Sequence, residues 1–556
     1  MPIQNVVEFP QRKKEANSDI SLKSPESTNT TASNGSGAHH QEKTDPNFVD
    51  PSTLSAEERL KKSDEYKAKA NKLFGDQKFD LAVDEYSKAI EYHPTAILYS
   101  NRSFSYFKKE LFVSALDDAK KATELDPMYV KGYYRLGSAN MALGHYQDAK
   151  INFQTVVKKF PNDNEGRQKL KTVSALIQRK AFEDAIQFSA ESAFKNLDYE
   201  SMAVDESYKG PHFIGEDITL EFVKDMIEYM KSQKSIHKKY ILKILKKSFD
   251  LFTKLPSLVD IDHETTQNIT VCGDTHGQFY DLLHIFELNG LPSKEKPYLF
   301  NGDFVDRGSF SLEVIVTLLA FKLLYPDHMH LTRGNHESIE MNRFYGFHGE
   351  VVAKYSEMVY DLFAELFSWF PLAFVLDNSY LVVHGGLFDR DGVTLDDIRK
   401  INRASPDSND NALLQCLLWS DPQQNPGILP SSRGVGVYFG PDVTRKFLKE
   451  NNLCGVIRSH EVKENGYQID DEGSIITIFS APNYCDQSGN LGAYINFGKD
   501  TLKFTTFSEV PHPDIGPIVP HGYYLLPRGS FQELEYEDNY IGLHFLTFHF
   551  IKCKWT

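Results

Sequence analysis

Over residues 63–161 apolar and polar positions repeat with a fixed step. Ala82, Ala115 and Ala149 recur with Pro94, Pro127 and Pro161, and the prolines stand 33 and 34 residues apart. Around them fall Tyr66, Ala70, Phe74, Tyr86 and Ala89 in the first unit, Tyr99, Ala122 and Leu125 in the second, and Tyr133, Gly137 and Phe153 in the third. Small residues let the two helices of a unit approach closely, aromatics fill the gaps between units, and each proline ends a second helix. Three units meet the minimum for a stable stack. A further run over 165–188, with Leu170, Val173, Leu176, Ile177 and Ala181 at helical spacing, predicts a capping helix. Helices predicted over 220–230 and 240–253 then give way to short, fully apolar runs alternating with helical stretches, the pattern of buried strands in an α/β domain.

The step is the tetratricopeptide period. The chain therefore divides into a leader over 1–60, a tetratricopeptide domain over 63–188, a linker over 189–210, a catalytic-type domain over 195–515 and an atypical tail over 516–556. From Pro10 to Asp50 the leader is Ser, Thr, Asn, Gly and charge, too poor in large apolar residues to offset its own ordering, so it is predicted disordered. Its Ser24-Pro25 pair reads as plain solvated linker. At 556 residues, 41% hydrophobic and 25% charged, the chain supports more than one globular core. A net charge of −16 gives no general basis for gripping nucleic acid or an anionic membrane. The five cysteines are scattered and frame neither a disulfide scaffold nor a zinc site. No secretory signal and no long apolar span is evident, which predicts a cytoplasmic and nuclear protein.

Five strand-like runs end abruptly in polar residues: NITVCGDTHG, PYLFNGDFVDRG, MHLTRGNHE, YLVVHGG and CGVIRSHE. Ligands bind beyond the carboxyl ends of strands in α/β sheets, so Asp274, His276, Asp303, Asn335, His384 and His460 can converge. Such N and O donors suit manganese, iron or zinc rather than calcium. One carboxylate has to bridge, which implies two metals, and a pair of divalent ions about 3.5–4 Å apart activates water against a phosphoryl group. Arg307 and Arg433 offer planar guanidinium forks to phosphate. His336 is free to protonate a departing alkoxide, with Asp306 to orient it and raise its pKa. Cys272 reads as a small buried strand residue, and Cys485 has no necessary task.

The series GDTHG, GDFVDRG, RGNHE, HGGL, RSHE and SAPNYCD resembles the metal-dependent serine/threonine protein phosphatases over about 195–515, here with repeats fused ahead of the domain. The resemblance implies a multidomain chain: an all-α tetratricopeptide solenoid, then an α/β metallophosphoesterase domain built on a central β-sandwich flanked by helices. It implies that Asp274, His276 and Asp303 hold one metal, and that Asp303, Asn335, His384 and His460 hold the other, manganese foremost. His336 with Asp306 then forms the proton-donor pair, and Arg307, Arg433 and Tyr484 line the phosphate pocket. The implied reaction is hydrolysis of phosphoserine and phosphothreonine in protein substrates by a metal-bound hydroxide, with no phosphoenzyme. A small-molecule metallophosphoesterase, or a chaperone-binding scaffold with an inert phosphatase domain, is the alternative.

Lys67 and Asn71, and Lys131 and Arg135, are each four apart on the first helices of their repeats, and Asn101 holds a comparable place in the second. A basic, amide-lined trough on the concave side fits an acidic peptide with a free carboxylate. Similarity to tetratricopeptide carboxylate clamps implies the C-terminal tail of a heat-shock protein 90 family chaperone, with Lys108 assisting. The family also suggests that the repeats of this monomer fold over the catalytic mouth, and Glu110 is the candidate for occupying its phosphate-binding arginines. After VPHPDIGP the tail departs from the family. Its apolar stretch over 540–551 is 12 residues long, too short to span a bilayer.

Overall fold

The computed structural model describes residues 3–8, 49–186, 192–262, 268–404, 411–498 and 501–515. Most of the leader, Ser24 included, and the tail over 516–556 lie outside the described residues.

Seven helices build the repeats: α1 (Ala56–Gly75), α2 (Phe79–Tyr92), α3 (Ala96–Lys108), α4 (Phe112–Leu125), α5 (Val130–Ala142), α6 (Tyr146–Lys159) and α7 (Asn164–Ile186). Each second helix stops two residues before its proline. The leader expected over 1–60 overreaches at its end, because Ser55 and Glu58 form a capping box that starts α1 at Ala56. Ala70, Ala82, Ala89, Ala115, Ala122 and Ala149 are fully buried, as close helix pairing demands, whereas Leu125, the last pattern position of the second unit, is 45% exposed. A Cβ on Gly137 would meet the buried ring of Phe153 at 2.8 Å. Gly137→Ala is therefore expected to lower stability by about 1 kcal/mol, a mid-range overpacking cost of ~2 less the ~1 gained in helix propensity. Urea unfolding of the full chain measures this, and unchanged stability would contradict it.

The described residues contain fifteen strands, in chain order β1 (Ile3–Glu8), β2 (Leu258–Ile261), β3 (Thr270–Cys272), β4 (Tyr298–Phe300), β5 (Met329–Leu331), β6 (Ala373–Leu376), β7 (Tyr380–Val383), β8 (Asp421–Pro422), β9 (Ile428–Pro430), β10 (Val437–Phe439), β11 (Gly455–Arg458), β12 (Tyr467–Asp470), β13 (Ile475–Ile478), β14 (Gly492–Phe497) and β15 (Thr501–Phe507). They form two mixed six-stranded sheets, ordered β1-β15-β14-β3-β4-β5 and β12-β13-β11-β7-β6-β2, and a small sheet β8-β10-β9. Val271, Leu299 and Ile495 of the first sheet pack on Phe374, Val382, Ile457 and Ile476 of the second, making a sandwich, and helices cover both outer faces. The five predicted strand runs divide between the sheets: β3, β4 and β5 lie in one, β7 and β11 in the other. β1, inside the expected leader, pairs antiparallel with β15 as the edge strand. The segment read as linker over 189–210 is, from residue 192 on, seated on the catalytic core. Phe194 stacks on Phe249 at 4.1 Å, Ala193 donates its backbone N–H to Glu365, and Leu197, Tyr199, Met202 and Val204 pack below.

Candidate active site

Each chemical residue follows a strand: Asp274 and His276 after β3, Asp303, Asp306 and Arg307 after β4, Asn335 and His336 after β5, His384 after β7 and His460 after β11. The chain turns sharply to bring them together. His276, Asp303, Asp306, Arg307 and His460 all adopt φ between 39° and 73°, a left-handed conformation costing about 1–2 kcal/mol for residues with a Cβ. Gly302 also has positive φ, and a Cβ there would lie 2.7 Å from both Gly334 and His384. Such conformations persist only where packing over-determines them, and here two buried sheets do so.

All six expected metal ligands are buried and converge. His276 Nε2 lies 3.8 Å from Asp274 and 3.6 Å from Asp303, while His384 Nε2 lies 3.2 Å from Asp303 and 2.9 Å from Asn335 Oδ1. Ligating atoms of Asp303, His384 and His460 fall within 4.8 Å of one another, and so do those of His276, Asp303 and His336. Backbone carbonyls set the tautomers: His276 Nδ1 donates to Val305 O at 3.0 Å and His384 Nδ1 to Asn301 O at 2.8 Å, leaving both Nε2 lone pairs bare. A bare imidazole lone pair 3.2 Å from a carboxylate oxygen repels it unless a cation or proton intervenes. His460 Nε2 has no partner at all. Burial also pushes the Asp274 carboxyl up to about 8 and Asp303 well above its usual range. Two buried acids, the unpartnered His460 and two further imidazoles whose Nε2 atoms face the carboxylates fit a pair of divalent cations.

Beside them stand the phosphate and proton groups. Arg433 Nε donates to Asp421 at 2.7 Å, and the Arg307 guanidinium stacks 3.6 Å from the centre of the Tyr345 ring. Tyr484 tilts over His276 with ring centroids 5.1 Å apart. His336 Nδ1 bonds Asp306 Oδ2 at 2.8 Å. The expected rise in the His336 pKa is not what this environment produces. Burial, joined by the charge of Arg307, pushes the imidazole well below its ordinary value, and burial pushes Asp306 up to about 7. Asp306 therefore orients the ring more than it charges it.

The repeats reach this mouth. Glu110, in the turn between α3 and α4, forms ion pairs with Arg307 and, at 3.7 Å, with Arg433. Val113 N donates to Ser432 O at 2.9 Å, and Phe344 packs against the cluster of Met141, Ala149, Phe153 and Val173. On the repeats themselves Tyr86 donates to Asn71 Oδ1 at 2.7 Å, and Asn101 Nδ2 approaches the same oxygen at 3.5 Å. The Arg135 guanidinium lies 3.6 Å over Phe104, its Nε without a partner, and Lys108 Nζ lies 5.4 Å from the centre of the same ring. Lys67 is half-buried and Lys131 exposed.

Asp421 and Arg458 were not legible as site residues. Asp421 holds Arg433 with one oxygen and the fully buried Arg458 with the other, at 2.8 Å. Arg458 sits two residues before His460 in a motif already singled out; Asp421 carries no local signal.

Comparison with known proteins matches residues 267–464 to the family model of calcineurin-like phosphoesterases and 170–260 to that of the PPP5 TPR repeat region. The chain is 51% identical over 471 residues to serine/threonine-protein phosphatase 5 of Rattus norvegicus, covering 83% of this chain and 94% of that protein. The Homo sapiens protein of the same name is 50% identical over 471 residues, with the same coverage. Among solved structures, a protein serine/threonine phosphatase from Saccharomyces cerevisiae with similarity to human phosphatase PP5 is 41% identical, at a TM-score of 0.53, over 55% of this chain and 100% of that one.

Proposed function

This chain belongs to the serine/threonine-protein phosphatase 5 family, and on that premise we propose that it transfers phosphoryl groups from phosphoserine and phosphothreonine directly to water. The convergence of two acids, three imidazoles and an amide oxygen around Asp303 is the observation that carries the reading. Asp274, His276 and Asp303 would hold one divalent ion and Asp303, Asn335, His384 and His460 a second, manganese by the family's pattern. Bound there, the ions would polarise phosphoryl oxygens and lower the pKa of water. Arg307 and Arg433 clamp the remaining phosphoryl oxygens, with Asp421 fixing the second fork and Tyr345 and Tyr484 walling the pocket. An incoming dianionic ester offsets the arginine charges that depress His336, so the imidazole takes up a proton at Nε2 and delivers it to the departing seryl oxygen. No side chain is asked to carry the phosphoryl group.

Access is controlled from the repeats. Glu110 occupies the two arginines that phosphate needs, so the conformation described is the closed one. The trough of Lys67, Asn71, Asn101, Lys108, Lys131 and Arg135 takes an acidic peptide ending in a free carboxylate, by the family's pattern the tail of a heat-shock protein 90 family chaperone. Among the described residues no helix is long and apolar enough to cross a membrane.

The test is turnover of a phosphoserine peptide by the manganese-loaded chain. His336→Asn is expected to lower kcat by about 10²–10⁴, the usual worth of a general acid. Metal content should not change, and an unaltered kcat would remove the assignment.

A further inference from the structure

We infer that Asn342 is a positioning residue of the phosphatase reaction, whose side-chain amide fixes the Asp306–His336 pair in the geometry that delivers the proton. The inference rests on the reading of His336 as the proton donor.

Asn342 is fully buried in the helix Ile339–Tyr345. That helix is anchored to the catalytic motif at its start, where Ser338 Oγ accepts from Met341 N and donates to Asn335 O at 2.8 Å. One turn on, Asn342 Nδ2 donates at 2.6 Å to His336 O and at 3.1 Å to Asp306 Oδ2. A single amide thus ties the main chain of the histidine to the carboxylate that orients its ring. Both neighbours are acceptors, so the amide cannot be reversed without placing oxygen against oxygen. Asn342 Oδ1 has no partner, which marks the group as present for its donors.

The remaining contacts of Asp306 show what the amide adds. Its Oδ1 accepts from Phe347 N at 2.9 Å and its Oδ2 from His336 Nδ1 at 2.8 Å. Without Asn342 the carboxylate keeps one donor on each oxygen and can swing with the imidazole as a unit, because among the described residues only the imidazole itself then holds Oδ2. The same loss frees His336 O. A ring displaced by a fraction of an ångström still sits near the phosphate, but its Nε2 no longer points along the line of the breaking bond.

A proton donor out of line harms substrates unequally. A seryl alkoxide cannot leave without a proton, whereas p-nitrophenolate can. A purely structural defect lowers both rates alike. In the manganese-loaded full chain, Asn342→Leu is expected to lower kcat/KM for a phosphoserine peptide at least about tenfold more than for p-nitrophenyl phosphate, within the ~10²–10⁴ range of general-acid catalysis. His336→Asn, the reference, should show the same skew or a larger one. In the metal-free chain the downfield Nδ1–H resonance of His336, identified by its absence in His336→Asn, should broaden or vanish in Asn342→Leu. Should that variant not fold, Asn342→Asp keeps the shape, exchanges a donor for an acceptor, and should give the same skew. Equal losses on both substrates, or an unchanged resonance, with His336→Asn still skewed, would overturn the role of Asn342 alone. No skew in His336→Asn would overturn the proton-donor reading, and the positioning role with it.

Discussion

Replacing Asp303 by asparagine is expected to abolish stable metal loading and to lower turnover by a thousandfold or more, the order of magnitude that separates metal-activated from unassisted water. Asp303 is the one acid common to both clusters of ligating atoms, with His276 Nε2 and His384 Nε2 at 3.6 and 3.2 Å from its Oδ2. Asparagine keeps the shape and the acceptor that His336 N uses at 2.9 Å, but removes the only negative charge shared by the two positions. Manganese added to the wild-type chain should raise its melting temperature, because a ligand that binds only the folded state stabilises it. The variant should gain little, and its metal-free form should melt no lower than metal-free wild type, since a neutral amide replaces a buried acid without a counter-ion. Elemental analysis and thermal melts decide the matter. Full manganese retention by Asp303→Asn would show that the shared-ligand geometry has been misread.

The second large effect has the opposite sign. Glu110→Ala is expected to raise the basal turnover of a small phosphate ester about tenfold or more, because truncating one side of a buried charge pair typically costs ~2–5 kcal/mol of the contact it supports. Glu110 is 18% exposed and faces Arg307 and Arg433, themselves 12% and 9% exposed, so solvent screens the pairs little. An acidic peptide that stimulates the wild-type chain should add little to the variant. No rise in basal rate would remove the autoinhibitory role of Glu110.

Much of this site is visible in the sequence because the chemistry forces unusual residue types into short, rigid stretches. GDTHG and GDFVDRG place acids and imidazoles directly after strands, where turns are tight and glycine is needed, and the structure sets Gly302 against His384 for that reason. The repeats are legible because close helix pairing admits only small residues at Ala82, Ala115 and Ala149. What escaped notice acts across the fold. Asp421 holds two arginines at once, Asn342 bridges a carboxylate and a carbonyl, and neither belongs to a local pattern. Leu125 shares the repeat pattern but ends its helix and is exposed. The segment from residue 192 looked like linker because its aromatics lack any period, yet each finds a specific pocket on the catalytic core. The lowered pKa of His336 is not legible in the sequence, because it comes first from burial and then from the charge of Arg307, which only the fold brings close.

The pairing of β1 with β15 has a mechanical corollary. Strand Ile3–Glu8, ahead of the repeats in the chain, and the segment anchored by Phe194, behind them, both sit on the catalytic domain. Holding the chain on both sides of the repeats raises the effective concentration of Glu110 at the arginines, which favours re-forming that contact once it breaks.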